Sequence, residues 1–410
     1  MSDVPPSCRS CGGGDLRGVL TLGRTPLANA LLAADQLDRP EPTYPLDLAF
    51  CAGCSLVQLA ETVPPELLFA DYPYFSSFSD AMVAHAAALA RRLIDGRELG
   101  PGSLVVEVAS NDGYLLKAYK AAGVPVLGIE PAANVARRAV EAHGIPTRVE
   151  FFGRDLAGRL RAEGLAADVI HAHNVLAHVP DLNGFVAGLA TLLADDGVAV
   201  VEIPYVRDLF DGCEFDTIYH EHVFYFSLHA LAALFARHGL EVRDVERVPI
   251  HGGSLRVFAG HPGGQVKPSV AELLAEERGR GLDRFDYYRD FAGRVAGLKA
   301  DLLGLLAGLK REGKRLAAYG ASAKGSTLLN AFGIGGETLD FVADRSTVKQ
   351  GRFTPGTRLP ILPPGALLER MPDYVLLLTW NFADEILAQQ AEYRRRGGRF
   401  LVPIPAVRVV

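Results

Sequence analysis

The apolar residues between positions 104 and 204 follow two alternating patterns. Short unbroken runs such as LVVEVA at 104–109 and VAVVEI at 198–203 are typical of buried strands, whereas the segment 133–144 spaces its apolar residues as one face of a helix does. Strands that alternate with amphipathic helices at these distances form parallel sheets with helices on both faces. This region is therefore predicted to be an α/β domain.

The chain changes character on both sides of this region. The first seventy residues hold turn-rich sequence with short strand-like pieces, which is too little apolar material for a core that folds alone. After position 261 the sequence becomes helical and charged until about 313, and then KRLAAYGAS, LDFVADRS and DYVLLLTW begin a second set of α/β units. We therefore predict three domains, with boundaries at 1–70, 71–280 and 281–410.

Composition narrows the class of protein. The 410 residues are 49% hydrophobic and 22% charged, which is typical of a globular chain with several domains and excludes disordered and coiled-coil proteins. Because 42 basic side chains stand against 48 acidic ones, the net charge is −6 and nucleic acid is not an expected partner. No apolar run approaches the roughly 20 residues that span a bilayer, and the start MSDVPPSCRS lacks the features of a secretion signal. The sequence therefore predicts a cytoplasmic protein without a membrane partner.

Four of the five cysteines form two CxxC pairs, Cys8 with Cys11 and Cys51 with Cys54. Two such pairs can supply four thiolates in a tetrahedron around zinc. Because sulfur would fill all four positions and leave none for water or a substrate, we predict a structural zinc site in the N-terminal domain. Buried thiols without metal and a redox-active CxxC are the alternatives, although neither motif opens a helix after a strand. Cys213 lies outside the set.

A buried strand at 104–108 leads through the tight turn ASNDG into a helix, without the glycine pattern of GxGxxG loops or P-loops. The segment resembles the first loop of class I S-adenosylmethionine (SAM) methyltransferases, with an acidic residue inside the strand and turn-forming residues after it. Ala109 and Asn111 stand where that family usually has glycine, and asparagine tolerates the left-handed conformation. The resemblance implies SAM as the cofactor.

The expected cofactor residues follow the carboxyl ends of strands. The second strand ends at Glu130, where a carboxylate can accept two hydrogen bonds from a ribose diol. The predicted cofactor-binding set is Glu107, Asn111, Asp112, Gly113, Glu130 and Asn174. Two alternatives stay open: an ordinary α/β unit in which Asp112 caps the helix, and a nicotinamide site, against which the missing glycine-rich turn argues.

Two histidine-rich segments follow the fourth and fifth strands, HNVLAHVP at 173–180 and IYHEHVFYF at 218–226. Both follow the carboxyl ends of their strands, and so they are expected at the same edge of the sheet as the cofactor loop. Histidine is the side chain suited to moving protons near neutral pH, which favours an acid–base site. A metal on His220 and His222 lacks a third ligand at a diagnostic spacing, and histidines satisfied within the core remain the alternative.

Together these motifs resemble the sugar C-3 methyltransferases of bacterial deoxysugar pathways, which build branched antibiotic sugars. The similarity extends over nearly the whole chain, through YPYFSS, EVASNDG, HNVLAHVP, IYHEHVFYFS, HGGSLR and AYGASAKGSTLLNAFGIG. It implies a three-part α/β enzyme: a small zinc-binding N-terminal domain, a central class I, Rossmann-like SAM methyltransferase domain, and a second Rossmann-like α/β domain. The last domain is expected to close over a dTDP-linked 4-keto sugar.

The resemblance also implies the catalytic residues. His222 corresponds to the base that removes the C-3 proton, and the residues in matching places around it are Tyr219, Glu221, His178 and Tyr74. A hydrogen beside a ketone is acidic enough for a neutral imidazole when nearby donors stabilise the enolate oxygen, and Tyr219 and His178 are the candidate donors. Glu221 is expected to orient a histidine ring or to raise its basicity. Where the family has aspartate before that glutamate, this chain has His220.

The run 315–327 is predicted to be a strand, a turn of small residues and a helix, and a helix amino terminus suits an anion. We expect Ser322 and Lys324 to meet a diphosphate there. The full predicted substrate-binding set is Lys324, Ser322, Tyr319, His251, Trp380 and Asn381. A tight strand-to-helix turn with a solvated lysine, and a tryptophan used only in packing, are the alternatives.

The sequence thus predicts a monomeric enzyme that transfers a methyl group from SAM to C-3 of a dTDP-linked 4-keto-deoxysugar through an enolate. A SAM-dependent methyltransferase that acts on another carbon or on oxygen is the nearest alternative. A zinc-containing binding protein without catalysis is the alternative from another class. The identity of the sugar, including whether it carries an amino or a hydroxyl group, stays open at this point.

Overall fold

The computed structural model describes residues 7–64, 67–68, 77, 80–249 and 252–410, and its strands form three sheets. The strands, numbered along the chain, are β1 (Leu16–Thr25), β2 (Tyr44–Cys51), β3 (Val57–Leu59), β4 (Val105–Val108), β5 (Val126–Ile129), β6 (Thr147–Arg148), β7 (Ala167–His173), β8 (Leu193–Pro204), β9 (Phe224–Tyr225), β10 (Glu241–Val248), β11 (Ser254–Gly260), β12 (Leu316–Tyr319), β13 (Val342–Ala343), β14 (Ile361–Leu362), β15 (Tyr374–Leu377), β16 (Arg399–Val402) and β17 (Arg408–Val409).

Helices connect most of these strands. The α-helices are Asp80–Arg97, Leu116–Ala121, Ala133–His143, Arg154–Ala162, Leu182–Leu192, Val206–Asp211, Leu228–Arg237, Pro268–Arg280, Phe291–Arg311, Ala323–Phe332, Ala366–Arg370, Ala383–Gln389 and Ala391–Arg395. The helix predicted over 133–144 is confirmed, and it ends where Gly144 takes the left-handed conformation that glycine adopts readily. Among the described residues, no helix is both long enough and apolar enough to cross a membrane.

The N-terminal sheet has the order β1-β2-β3-β9, and all of its pairs are antiparallel. Its last strand comes from the middle of the chain, since Val57 and Gln58 of β3 pair with Tyr225 and Phe224 of β9. The sequence predicted the first seventy residues as a separate module and did not show this pairing. The catalytic segment predicted at 218–226 is therefore attached to the N-terminal domain by backbone hydrogen bonds.

The central sheet has the order β10-β11-β8-β7-β4-β5-β6. Strands β4 to β8 are parallel, as the sequence predicted, while β11 is antiparallel to both β8 and β10 at one edge. The chain leaves β4 toward β5 on one side and returns at β7 on the other, so the strand order reverses at β4. Ligands of open α/β sheets bind at the carboxyl ends of the strands beside such a reversal, which is where the predicted cofactor loop lies.

The C-terminal sheet has the order β14-β13-β12-β15-β16-β17, with β12 to β16 parallel and only β17 antiparallel. Strand β12 lies between β13 and β15, so this sheet also reverses its order at its first strand. The helical region predicted at 270–313 is two helices, Pro268–Arg280 and Phe291–Arg311, with a short 3-10 turn at Phe285–Tyr287 between them. A second Rossmann-like domain is thus present.

Candidate functional site

The four cysteines of the two CxxC pairs lie together at the start of the N-terminal sheet. Their sulfur atoms all lie within 4.8 Å of one another, with Cys8 Sγ 3.6 Å from Cys54 Sγ and Cys11 Sγ 3.6 Å from Cys51 Sγ. Four sulfur ligands at these distances fit a tetrahedral zinc ion, and they leave no position for a substrate.

The electrostatics of this cluster also suit a cation. Hydrogen bonding from the Cys54 thiol, together with backbone N–H groups, lowers the pKa of Cys8 to about 5, whereas burial raises the pKa of Cys51 to about 11. The backbone N–H of Ser10 points to Cys8 Sγ at 3.4 Å. The protein therefore favours one thiolate here even without a metal, and metal binding would displace the remaining protons.

The turn after β4 combines three residues with positive φ. Ala109, Asn111 and Gly113 have φ values of 54°, 49° and 79°. A side chain at Gly113 would also place its Cβ 3.0 Å from Cγ1 of Ile145, so glycine is required there both for conformation and for space. Alternating left-handed residues turn the backbone sharply at the carboxyl end of β4, which allows a ligand to approach the main chain closely.

Glu130 lies at the carboxyl end of β5 and braces this turn. Its Oε2 accepts a hydrogen bond from the backbone N–H of Asn111 at 3.0 Å, and its Oε1 accepts one from Ala132 at 2.9 Å. Burial raises the pKa of Glu130, and these two N–H groups oppose the shift. Since a carboxylate has about four acceptor positions, two remain for hydroxyl groups of a ligand.

Two further buried carboxylates lie beside the turn. Glu107 is 1% exposed, and its Oε2 has no hydrogen-bond partner among the described residues. Burial, with added repulsion from Glu130 and Asp112, raises the pKa of Glu107 well above its usual value. Asp112 accepts from the N–H of Ser77 at 3.3 Å through Oδ2, but its Oδ1 likewise lacks a described partner. Unsatisfied buried acceptors around a left-handed turn fit a ligand that carries hydroxyl and ammonium groups, as SAM does.

Asn174, the last of the predicted cofactor residues, follows β7 at the same edge of the sheet. It also has positive φ, 53°, and its N–H donates to the carbonyl oxygen of Glu202 at 2.8 Å. The cofactor residues predicted from the sequence are therefore gathered at the carboxyl ends of β4, β5 and β7.

His222 is held by a hydrogen bond on each ring nitrogen. Its Nδ1 lies 2.9 Å from the carbonyl oxygen of Thr217, and its Nε2 lies 2.8 Å from the hydroxyl oxygen of Tyr219. A carbonyl can only accept, so Nδ1 carries the proton and Nε2 presents its lone pair, which the Tyr219 hydroxyl occupies by donating. This tautomer is the one that a base acting through Nε2 needs.

The ring of His178 lies beside this pair. The ring centroids of His178 and His222 are 4.8 Å apart with the planes at 67°. Burial lowers the pKa of His178 to about 4, so its imidazole is neutral at physiological pH. A neutral imidazole has one N–H, and the His178 ring already bonds to the backbone of Glu221, so it places no charge beside His222 and offers its other nitrogen as an acceptor.

The two residues between Tyr219 and His222 point to the N-terminal domain. Glu221 is 6% exposed, and its Oε1 accepts a hydrogen bond from Asn29 Nδ2 at 2.7 Å. Burial raises the pKa of Glu221 to about 7, and the bond from Asn29 opposes that shift. His220 Nε2 lies 3.3 Å and 3.2 Å from the carbonyl oxygens of Tyr44 and Pro45 in β2. His220 therefore joins the domains, and the group that orients His222 is a backbone carbonyl rather than Glu221.

The structure divides the histidines that the sequence grouped together. His171 and His173 of β7 are buried and bonded to each other, Nδ1 to Nε2 at 3.0 Å, and His171 Nε2 also lies 2.8 Å from the hydroxyl of Tyr119. Burial lowers the pKa of both imidazoles, to about 4 for His173. These two histidines are satisfied within the core, which was the alternative to an acid–base role.

The predicted substrate residues of the C-terminal domain lie in different surroundings. Lys324 Nζ is 4.7 Å from the ring centroid of Trp380, and it has no hydrogen-bond acceptor among the described residues. Ser322 Oγ accepts from the N–H of Gly325 at 3.1 Å and thereby caps the helix Ala323–Phe332. Tyr319 is 4% exposed in the core of the C-terminal sheet, and Asn381 is half-buried in the 3-10 turn Trp380–Phe382.

Some groups of this site had no signal in the sequence. Trp380 Nε1 donates to Asp216 Oδ2 at 2.7 Å, which links the C-terminal domain to the turn Phe215–Thr217 that carries the carbonyl bonded to His222. Asn29 and Asp216 lie in stretches with no motif. Every residue has a backbone carbonyl, so the sequence does not show which carbonyl will bond to His222. Tyr74 and His251, which the sequence also predicted, lie outside the described residues.

Three family models match successive parts of the chain: a zinc binding domain over residues 8–69, a methyltransferase domain over residues 82–245, and a C-methyltransferase C-terminal domain over residues 249–405. The chain is 40% identical over 405 residues to the C-methyltransferase NovU of Streptomyces niveus, and this alignment covers 98% of the chain and 96% of NovU.

Solved methyltransferase structures resemble part of the chain. Magnesium protoporphyrin IX methyltransferase (ChlM) from Synechocystis PCC 6803 with bound SAM is 15% identical, with 48% of this chain and 88% of that chain covered and a TM-score of 0.34. A SAM-dependent methyltransferase from Anabaena variabilis ATCC 29413 is 14% identical, with 43% and 84% covered and a TM-score of 0.36.

Proposed function

This chain belongs to the SAM-dependent C-methyltransferases built from a zinc binding domain, a methyltransferase domain and a C-terminal domain, and from that premise we propose that it methylates C-3 of a dTDP-linked 4-keto-deoxysugar. The observation that carries the proposal is the tautomer of His222. Its Nδ1–H donates to the Thr217 carbonyl, so Nε2 carries the lone pair that can remove a proton once the Tyr219 hydroxyl is displaced. A methyl acceptor that is a carbon beside a ketone requires such a base.

The first step is proton transfer from C-3 of the sugar to Nε2 of His222. The C–H bond breaks, its electron pair enters the enolate with the C-4 carbonyl, and the imidazole becomes an imidazolium whose Nδ1–H still donates to Thr217. In the resting site Tyr219 donates to Nε2 at 2.8 Å, and the substrate must displace this hydroxyl. Once displaced, Tyr219 is a donor for the enolate oxygen.

The second step is the formation of the carbon–carbon bond. When bound, SAM would supply an electrophilic methyl group on its sulfonium, and the methyl–sulfur bond would break as the enolate carbon takes the methyl group, which leaves S-adenosylhomocysteine. The protein contributes alignment, because the residues around the left-handed turn after β4 and the carboxylate of Glu130 would hold the cofactor at the carboxyl edge of the sheet that also carries His178. Glu107 and Asp112 supply the buried acceptors for its ammonium and hydroxyl groups.

The C-terminal domain would bind the nucleotide portion of the substrate. Lys324 is a cation whose Nζ is buried without a described hydrogen-bond acceptor, and a diphosphate would supply one. Trp380 lies beneath that ammonium group at the same side of the domain. In this proposal the ammonium group of Lys324 in the C-terminal domain binds the diphosphate, and His222 in the central domain removes the proton. We also propose that the enzyme acts as a monomer.

Incubation with SAM and a panel of dTDP-4-keto sugars, followed by mass spectrometry and NMR of the products, tests the proposal. We expect one added methyl group, bonded to C-3. Wild-type protein with S-adenosylhomocysteine in deuterated water should also exchange the hydrogen at C-3. Exchange and methylation at C-5, the other carbon beside the ketone, would show that C-5 is the reacting carbon and would overturn the assignment to C-3. A methyl group found on oxygen would contradict the enolate mechanism.

A further inference from the structure

The carbonyl that orients His222 belongs to a turn which the C-terminal domain holds from one side. In the 3-10 turn Phe215–Thr217, the ring of Phe215 stacks on Phe332 of the C-terminal domain, with ring centroids 4.7 Å apart and an interplanar angle of 16°. The next residue, Asp216, is 0% exposed and accepts the hydrogen bond from Trp380 Nε1 at 2.7 Å. Thr217 then provides its carbonyl to His222.

We propose that Trp380 and Asp216 are positioning residues for catalysis, which fix the tautomer of His222 by holding the Thr217 carbonyl against Nδ1. This inference rests on the proposed function of His222 as the base. It gives Trp380 a role other than the contact with a nucleotide that the sequence had suggested, and it assigns a role to Asp216, which no motif includes.

The carboxylate of Asp216 is well suited to transmit a displacement of the turn. Burial raises the pKa of Asp216 to about 6, while Lys324, the hydrogen bond from Trp380 and the backbone N–H groups of Asp216 and Thr217 lower it. The hydrogen bond that the geometry gives this carboxylate is the one from the indole of Trp380, at 2.7 Å. A carboxylate buried this completely is costly without donors, so it would follow the Trp380 N–H if that group moved.

The backbone of the turn passes this constraint to His222. Thr217 N–H donates to the carbonyl of Glu214 at 3.0 Å, and Ile218 N–H donates to the carbonyl of Phe215 at 3.0 Å. Two hydrogen bonds over so few residues leave the turn little freedom to move one peptide unit alone. Without the Trp380 bond, a shift of Asp216 would therefore move the whole turn and draw the Thr217 carbonyl away from Nδ1. His222 would then place its proton on Nε2 in part of the molecules, which removes the lone pair needed for catalysis.

The test compares Trp380→Phe with Tyr393→Phe. The first change keeps an aromatic ring beside Lys324 but removes the N–H donor to Asp216. The second removes a buried hydrogen bond in the same domain, from the Tyr393 hydroxyl to the carbonyl of Pro372 at 2.7 Å, and so it controls for a general loss of stability. Each variant is examined by nitrogen-15 NMR of its histidines and by steady-state kinetics.

In wild type we expect His222 Nδ1 to show the shift of a protonated nitrogen and Nε2 that of an unprotonated one. Trp380→Phe should mix the two tautomers and lower kcat by about 10- to 100-fold, the range for a small misplacement of a catalytic group, with KM for SAM unchanged. Tyr393→Phe should leave the tautomer and kcat as in wild type. Asp216→Asn, which retains an acceptor for the indole, should recover most of the activity that Asp216→Ala loses.

Two results would overturn the inference: an unchanged His222 tautomer in Trp380→Phe, or a rise only in KM for the sugar nucleotide, which would return Trp380 to a substrate-binding role. The NMR measurement needs no substrate. A wild-type enzyme that never exchanges hydrogen at a carbon beside the ketone would refute the proposed function, whereas the tautomer comparison would still decide the role of Trp380.

Discussion

Replacing His222 with asparagine is the most direct test of the proposed base. The amide nitrogen of asparagine can stand where Nδ1 stands and donate to the Thr217 carbonyl, which His222 Nδ1 contacts at 2.9 Å. Nothing replaces Nε2, so the change removes the proton acceptor and leaves the orienting contact in place. Positioned general bases contribute about 10²- to 10⁴-fold to rate, which corresponds to about 3 to 5 kcal/mol of activation free energy.

The cost in stability should be much smaller than the cost in rate. The variant loses the hydrogen bond from the Tyr219 hydroxyl to Nε2, and one such bond contributes about 0.5 to 1.5 kcal/mol to the free energy of unfolding. His222 is half-buried, so the shorter side chain leaves little closed space. We therefore expect a folded protein that binds SAM and the sugar nucleotide normally.

The assay is hydrogen–deuterium exchange at the carbon beside the ketone, measured by NMR with S-adenosylhomocysteine bound. Wild-type protein should exchange, His222→Asn should not, and Tyr219→Phe should exchange at a reduced rate, because it retains Nε2 but loses a donor to the enolate. Equal exchange by wild type and His222→Asn would refute the reasoning. The base would then be sought at His178, whose ring centroid lies 4.8 Å from that of His222.

Further predictions address the zinc, the cofactor, the substrate and the pH profile. Cys51→Ser should lower zinc content and stability together, because metal binding and folding of a small module are coupled; full zinc content would contradict the four-cysteine site. Glu130→Ala should weaken SAM binding by roughly 1 to 3 kcal/mol in isothermal titration, and unchanged affinity would place the cofactor elsewhere. Lys324→Met should raise KM for the sugar nucleotide by roughly 10- to 100-fold, as expected for a lost charged hydrogen bond, with kcat little changed. The hydrogen bond from Asn29 lowers the pKa of Glu221, which is about 7 with this bond in place, and Asn29→Leu removes the bond. The pKa should therefore rise further, and the acid limb of the rate should move to higher pH if the carboxylate acts ionised; an unmoved limb would show that Glu221 does not act as a carboxylate.

Several features were determined by the amino-acid sequence alone. The two CxxC pairs predicted a four-sulfur cluster because thiolates at that spacing have few other uses, and the strand-turn-helix pattern around Asn111 predicted a left-handed turn. The alternation of strands and helices predicted the parallel part of the central sheet. These features depend on residues that are close in sequence or on a periodicity, and so local chemistry was sufficient.

The partners of the proposed catalytic groups were decided only by the tertiary structure. Asn29 meets Glu221 from 192 residues away, and Trp380 meets Asp216 from 164 residues away. Hydrophobic periodicity shows which face of an element is buried, but it does not show which side chain of another domain will lie opposite, because that depends on how the domains pack. For the same reason the sequence grouped His171 with His222, whereas the pleat of β7 buries His171 beside Tyr119. The proposed catalytic segment at 218–226 acquires its geometry from contacts with the two flanking domains, and the local sequence does not reveal those contacts.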